Sequence, residues 1–382
     1  MKDYFYNKNY TAIYLHNFFA SFFWSVTSIF WIVLLYKMWF PLWLILLFYA
    51  FQFLFMWLLS PLSPILSSKI WIANSVLISN FFRIIWTWFL LLVSDFTSIY
   101  LFLIFIFFSI HGAIYHPLIN WVNSNYIDDN HKWRFNTMNI IFKSISTILA
   151  TFISWYFIAE WYDLSLFIIT IFMSFFSYLP YFLILEKSEI KHNHKFLDVF
   201  KYLFSPNFKP NLVPFSFQTF FIVERIFIPL FIYIAIPDFK IVSYIIWFAT
   251  FIEFLLLFSF WKSIDKFTHK SFFTATLLKS INSLFFLIQN FHFWLIFLNQ
   301  LYSKITENMY ESSFWTLIQK KAKKEFDPFL FTTAKEMILC FTEFIILVIM
   351  SFFAYFIWNN IFIVIFSSSF LALWITYKTW KK

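Results

Sequence analysis

Long apolar runs separated by short polar intervals make up nearly the whole chain. About twelve runs are long enough to span a bilayer, which takes roughly 20 residues for a hydrocarbon core of about 30 Å. They fall at 10–36, 40–60, 69–93, 97–122, 133–159, 163–186, 210–236, 240–262, 271–289, 291–317, 328–356 and 360–378. None alternates apolar and polar residues with period two. A segment in lipid must satisfy its own backbone hydrogen bonds, so the pattern predicts transmembrane α-helices. The predicted fold class is an all-α polytopic membrane protein with about twelve transmembrane helices in two six-helix bundles. The first run is too long for a cleavable signal peptide and is followed by further spans.

The polar intervals carry the charge and set the orientation. With the N-terminus in the cytoplasm, the inner segments hold twenty basic residues, among them Lys69, Lys132, Arg134, Lys262 and Lys320. The outer loops hold only Lys37 and Lys240. Basic residues favour the cytoplasmic side, so both termini are expected there, in a multi-pass protein of the plasma membrane. The longest polar stretch, 187–209, holds five lysines, two histidines and Pro206. It divides the chain into an N-terminal bundle, 1–186, a cytoplasmic linker, 187–209, and a C-terminal bundle, 210–382. No loop is long enough to fold as a separate soluble domain, which usually takes about 50 residues.

Composition adds an anomaly. The chain is 62% hydrophobic and 27% aromatic, with 64 Phe, 19 Trp and a single glycine, Gly112. Average proteins carry roughly 7% Gly, and transmembrane helices more, because small residues let backbones approach. Trp gathers at membrane interfaces, yet Trp86, Trp88 and Trp247 fall inside apolar runs. An AU-rich gene would deplete both residues. Reading UGA as Trp where the organism inserts glycine explains both facts together; the alternative is that these are true tryptophans. The net charge of +9 concerns orientation and anionic lipid, not nucleic acid. The one cysteine, Cys340, excludes an internal disulfide.

The most specific local signal lies between the eighth and ninth runs, Trp261-Lys-Ser-Ile-Asp265-Lys266-Phe-Thr268-His269-Lys270. It resembles the inner-loop motif of the major facilitator superfamily: Gly, three residues, Asp, a basic residue, one residue, Gly, then basic residues. Asp265 and Lys266 match the acid–base pair, His269 and Lys270 the basic end. Trp261 stands at the first Gly position and Thr268 at the second. The corresponding first-half segment keeps Lys69 but has Pro64 where the Asp would sit. Lys132-Trp133-Arg134 resembles the basic loop before the fifth span. Trp155 and Trp161 stand in the Gly places of that span's exit. The resemblance implies two parallel six-helix repeats around a midplane site, secondary transport by alternating access, and a cytoplasmic gate at Trp261, Asp265, Lys266, His269 and Lys270.

Ionisable groups inside spans cost about 2.5–3.5 kcal/mol on insertion scales and are functional candidates by default. Glu224 and Arg225 sit in the seventh run ahead of Pro229, and Glu253 in the eighth. Glu224 or Glu253 could line a cavity and carry a proton, or pair with Arg225 as a structural ion pair. Arg83, mid-way along the third run, could hold an anionic solute group or a cavity carboxylate through its planar fork, or bind carbonyls freed at a neighbouring helix. Glu343 lies mid-way along the eleventh run. His111, one turn before Tyr115, could relay protons or simply pack. Lys335-Glu336 resembles a basic–acidic pair of the superfamily, or is a pair of interface charges. Lys143 and Lys279 are expected to snorkel. Lys304, Glu307 and Glu311 read as a helix-surface ladder.

These residues point to a secondary transporter of a small solute, with proton coupling as an option, and not to an enzyme. No cofactor or metal is expected, the partners being the solute, protons and lipid, and the protein a monomer. Two alternatives stay open. One is a membrane-embedded lipid-modifying enzyme built on His111 and Asp128-Asp129, the other a non-transporting sensor or assembly factor on the same scaffold.

Overall fold

The computed structural model describes residues 7–38, 40–93, 98–126, 132–159, 163–185, 194–264, 268–288 and 293–356. Among the described residues there are thirteen α-helices and no strand. They are α1 (Lys8–Lys37), α2 (Leu42–Leu59), α3 (Leu62–Lys69), α4 (Ile72–Leu90), α5 (Ile99–Asn125), α6 (Lys132–Ala159), α7 (Asp163–Leu183), α8 (Phe196–Leu203), α9 (Leu212–Ala235), α10 (Phe239–Ile264), α11 (Thr268–Ile288), α12 (Phe293–Ala322) and α13 (Pro328–Phe356). The eleven long helices match the first eleven apolar runs in order. The twelfth run, 360–378, lies outside the described residues. By length and composition alone, α2, α5, α7, α13 and most of α6 are apolar enough to cross a membrane.

Helix starts follow local chemistry. Asn7 Oδ1 accepts from the N–H groups of Asn9 at 3.0 Å and Tyr10 at 3.3 Å, capping α1. Asp327 does the same for α13, accepting from Phe329 at 3.0 Å and Leu330 at 3.1 Å. Pro328, with no N–H to satisfy, takes the first helical position. Two short helices were not foreseen in the polar intervals. The loop helix α3 docks through Ser63 Oγ, which donates to the Ile114 carbonyl at 2.9 Å. The other, α8, lies in the linker and packs on α13.

Within the first half, α1 lies against α6 and α7, and α4 lies between α5 and α7. In the second, α11 packs on α12 and α9 on α13. Two seams join the halves, α2 against α13 and α6 against α10. Each pairs the second long helix of one half with the fifth of the other, as expected of two halves built alike. The halves touch at both ends. At the linker end, Asn120 Nδ2 on α5 donates to Glu336 Oε1 on α13 at 2.6 Å. Asn136 Nδ2 on α6 donates to Thr316 Oγ1 at 2.9 Å and Gln319 Oε1 at 3.0 Å, both on α12. At the opposite end, Ser351 Oγ donates to the Trp43 carbonyl at 2.7 Å. There Leu35, Phe40, Leu90, Leu230, Val242 and Ile346 share one apolar cluster.

Candidate functional site

A buried polar cluster occupies the middle of the first half, fed by α1, α4, α5 and α7. At its centre is Arg83, fully buried. Its Nε donates to Ser174 Oγ at 2.7 Å, and its Nη2 to the Ser174 carbonyl at 3.1 Å and Ser177 Oγ at 2.7 Å. Asn80, one turn earlier on α4, donates to the same two serines. Pro180 sits inside α7. It removes one N–H from the helix ladder in the stretch whose carbonyls are being used. The aromatic rings of Phe23 and Tyr115 flank the guanidinium, 4.6 Å and 5.7 Å from its carbon.

Two histidines border the arginine, and backbone carbonyls assign their tautomers. His16 Nδ1 lies 2.6 Å from the Ser177 carbonyl and must donate to it. Nε2 of the neutral ring then accepts from the Tyr115 hydroxyl at 2.8 Å. His111 Nδ1 lies 2.9 Å from the Ser79 carbonyl, so it too donates, and its Nε2 has no partner. The Trp24 ring stands over both His111 and His116, at 5.9 Å and 6.3 Å between centroids.

A second cluster sits on the α6–α10 seam. Ser144 Oγ on α6 donates to Glu253 Oε1 on α10 at 2.9 Å. Asn308 Nδ2 on α12 donates to the same oxygen. Lys304 and Glu307, also on α12, are close enough to act on this carboxylate electrostatically. A first-half serine and two second-half helices thus meet at one buried acid.

A third group lies toward the linker. Lys335 Nζ is 2.6 Å from Glu336 Oε1 and 4.2 Å from the centre of the Trp315 ring. This is a buried pair within α13, and Asn120, donating to the same oxygen, ties it to the first half. Below it, His194 Nε2 stands 3.4 Å from Asp327 Oδ2, and Tyr202 Oη on α8 donates to Glu325 at 2.9 Å. Burial and the Glu325 carboxylate push the Tyr202 phenol well above its ordinary pKa.

The candidates from sequence fare unequally. Arg83 and His111 come together in one cluster; Glu253 stands in another. Glu343 is buried on α13. Glu224 and Arg225 lie on α9, but their side chains are outside the described residues. The same holds for all of the gate motif. Asp265 and Lys266 fall between helices, outside the description, and Trp261, His269 and Lys270 have only their backbone described. Lys279 does not snorkel: it is fully buried, with Nζ 3.4 Å from Ser303 Oγ. Glu307 is likewise buried, with Lys304 and Glu311 half-buried, so the three do not form a fully exposed ladder. Sequence reading missed His16, Asn80, Ser144, Ser174, Ser177 and Asn308. The only available signal was a polar residue within an apolar run.

No family model and no curated protein sequence matches the chain. Solved structures match it in fold. It is similar to a mutant form of the nucleoside transporter NupG, with a TM-score of 0.70 and 13% identity over 97% of this chain and 99% of that one. It is also similar to the human organic anion transporter MFSD10, with a TM-score of 0.67 and 10% identity over 97% of this chain and 99% of that one. Its fold is that of the major facilitator transporters, an all-α, multi-pass membrane architecture.

Proposed function

We propose that the protein is a secondary transporter of a small solute, in which the halves 1–186 and 210–382 rock about the seams α2–α13 and α6–α10. The observation that carries this reading is the placement of Glu253. A carboxylate at mid-span is held from both halves at once, by Ser144 on one side and Asn308 on the other. A charge change there alters the contact that the halves must break and remake, which is what coupling an ion to a conformational cycle requires. Protons are the proposed coupling ion, and Glu253 rather than Glu224 the proposed carrier.

The rest of the reading extends the same logic. The linker end faces the cytoplasm by the distribution of lysines, the protein acts as a monomer in the plasma membrane, and Asp265 is the proposed acid of the cytoplasmic gate. The test is uptake and efflux of labelled carboxylates, nucleosides and sugars in proteoliposomes, with and without an imposed pH gradient. Accumulation that follows the gradient supports the proposal. Chemical conversion of lipid with no solute flux would point instead to an enzyme.

A further inference from the structure

We propose that Arg83 anchors an anion subsite, and that the transported solute is a small organic acid whose carboxylate meets Arg83 while its body lies among aromatic rings. The proposal rests on the transport reading only for the route by which the solute reaches the middle of the protein.

The argument begins with charge. A guanidinium removed from water costs several kcal/mol unless a counter-charge offsets it. Among the described residues no carboxylate pairs with Arg83. Its partners are two serine hydroxyls, one carbonyl and the Tyr115 side chain, all neutral. The other groups of the cluster supply no negative charge. His16 and His111 each spend one N–H on a backbone carbonyl, and Tyr115 directs its hydroxyl hydrogen to His16. The buried Lys335, by contrast, does have an acid, Glu336. The first half therefore holds a fixed positive charge whose partner must come from outside the cluster.

Donor geometry points the same way. Arginine has five N–H donors in a rigid fork. The three bonds to Ser174 and Ser177 use Nε and both hydrogens of Nη2 and hold the plane in place. Nη1 has no hydrogen-bond partner. Across the Tyr115 ring, which is 5.0 Å from His111, the fully buried His111 Nε2 also has none. A guanidinium oriented by serines with one nitrogen in reserve is arranged to receive an acceptor.

The surroundings then define the rest of the solute. Phe23 and Tyr115 lie on the guanidinium, and Trp24 meets Phe108 edge-on and lies over His111 and His116. Flat aromatic walls suit a planar, apolar body better than a polyhydroxylated one.

Thermal unfolding of the full-length protein in nanodiscs tests this, with benzoate, its neutral isostere benzamide and inorganic phosphate as probes. We expect a saturable rise in Tm with benzoate and none with benzamide. Arg83→Gln should weaken benzoate binding at least tenfold, and Arg83→Lys should recover only part of it. If Arg83→Gln does not fold, the double variant Ser174→Ala/Ser177→Ala keeps the charge but releases the fork, and should shift benzoate affinity several-fold. Equal stabilisation by benzamide, stabilisation by phosphate alone, or benzoate affinity unmoved in these variants would overturn the proposal. Benzoate binding without solute flux in proteoliposomes would sink the transport reading and leave the subsite standing. Flux of neutral solutes untouched by Arg83→Gln would do the reverse.

Discussion

Asn120 on α5 and Glu336 on α13 meet through a 2.6 Å hydrogen bond that crosses from one half of the protein to the other. A hydrogen bond to a charged group contributes about 1.5–3 kcal/mol. It would be lost whenever the halves part at the linker end. Asn120→Ala should therefore raise the population open at that end by roughly ten- to a hundredfold, since about 1.4 kcal/mol is a factor of ten. The check is the alkylation rate of a cysteine placed at Ser124, which is buried one turn further along α5. A rate unchanged from the parent would show that this bond does not hold the end shut.

Glu253 carries the prediction for coupling. Glu253→Gln keeps a group that Ser144 and Asn308 can still hold but removes the titratable charge. Accumulation against a gradient should vanish while solute exchange at equal concentrations persists. If the Gln variant still concentrates solute in proteoliposomes, the coupling group lies elsewhere.

Gly112 on α5 lies against Met56 of α2. A Cβ built there would stand 2.4 Å from Met56 Cε and 2.9 Å from Met56 Sδ. Those atoms end a flexible side chain, so Gly112→Ala should cost under about 1 kcal/mol as Met56 turns aside. Gly112→Val adds branched bulk and should cost roughly 1–3 kcal/mol. Thermal unfolding of the two variants measures the difference; equal Tm values would show that the helices separate freely.

The excess of Trp predicts a genetic fact. Trp43, Trp57, Trp71, Trp133, Trp155, Trp161 and Trp261 are the positions where glycine is expected, read from UGA codons. Trp43 and Trp57 both lie on α2 toward α13: the Trp43 carbonyl accepts from Ser351, and Trp57 packs on Phe341. Glycine at these two sites would let that seam close further. Protein made with Gly at all seven positions should express better and unfold at higher temperature than protein made with Trp. UGG codons, or Trp-containing peptides in mass spectra from the native host, would end the idea.

Orientation has its own check. Cysteines at Lys195 and Lys323, both on the linker side, should resist membrane-impermeant reagents applied to intact cells and react after lysis. Labelling from outside would invert the assignment.

The spans were legible because lipid imposes a length and an apolar composition that no loop shares. The first eleven runs became eleven long helices. Charged residues within them were equally visible, which is how Arg83 and Glu253 stood out. Their partners were not. Ser174 and Ser177 look like ordinary small residues of a span, since a serine hydroxyl readily bonds its own helix, as Ser177 Oγ does with the Ser174 carbonyl at 2.7 Å. His16 looks like a residue near a polar terminus until α7 brings the Ser177 carbonyl to it. Asn308 was hidden beside Lys304, Glu307 and Glu311, whose spacing imitates a solvated face. Pairing across 109 positions, as between Ser144 and Glu253, leaves no mark in local pattern.

The two seams carry a consequence for sealing. With α2 held to α13 on one flank and α6 to α10 on the other, the halves cannot slide apart as a whole without breaking both. Under the proposed rocking, a tilt that separates Asn120 from Glu336 keeps the Ser351–Trp43 contact closed. In such a cycle each opening would be tied to a closing, as in an airlock whose doors share one bar. The cell would need no separate plug to keep ions from leaking through while the cargo changes sides.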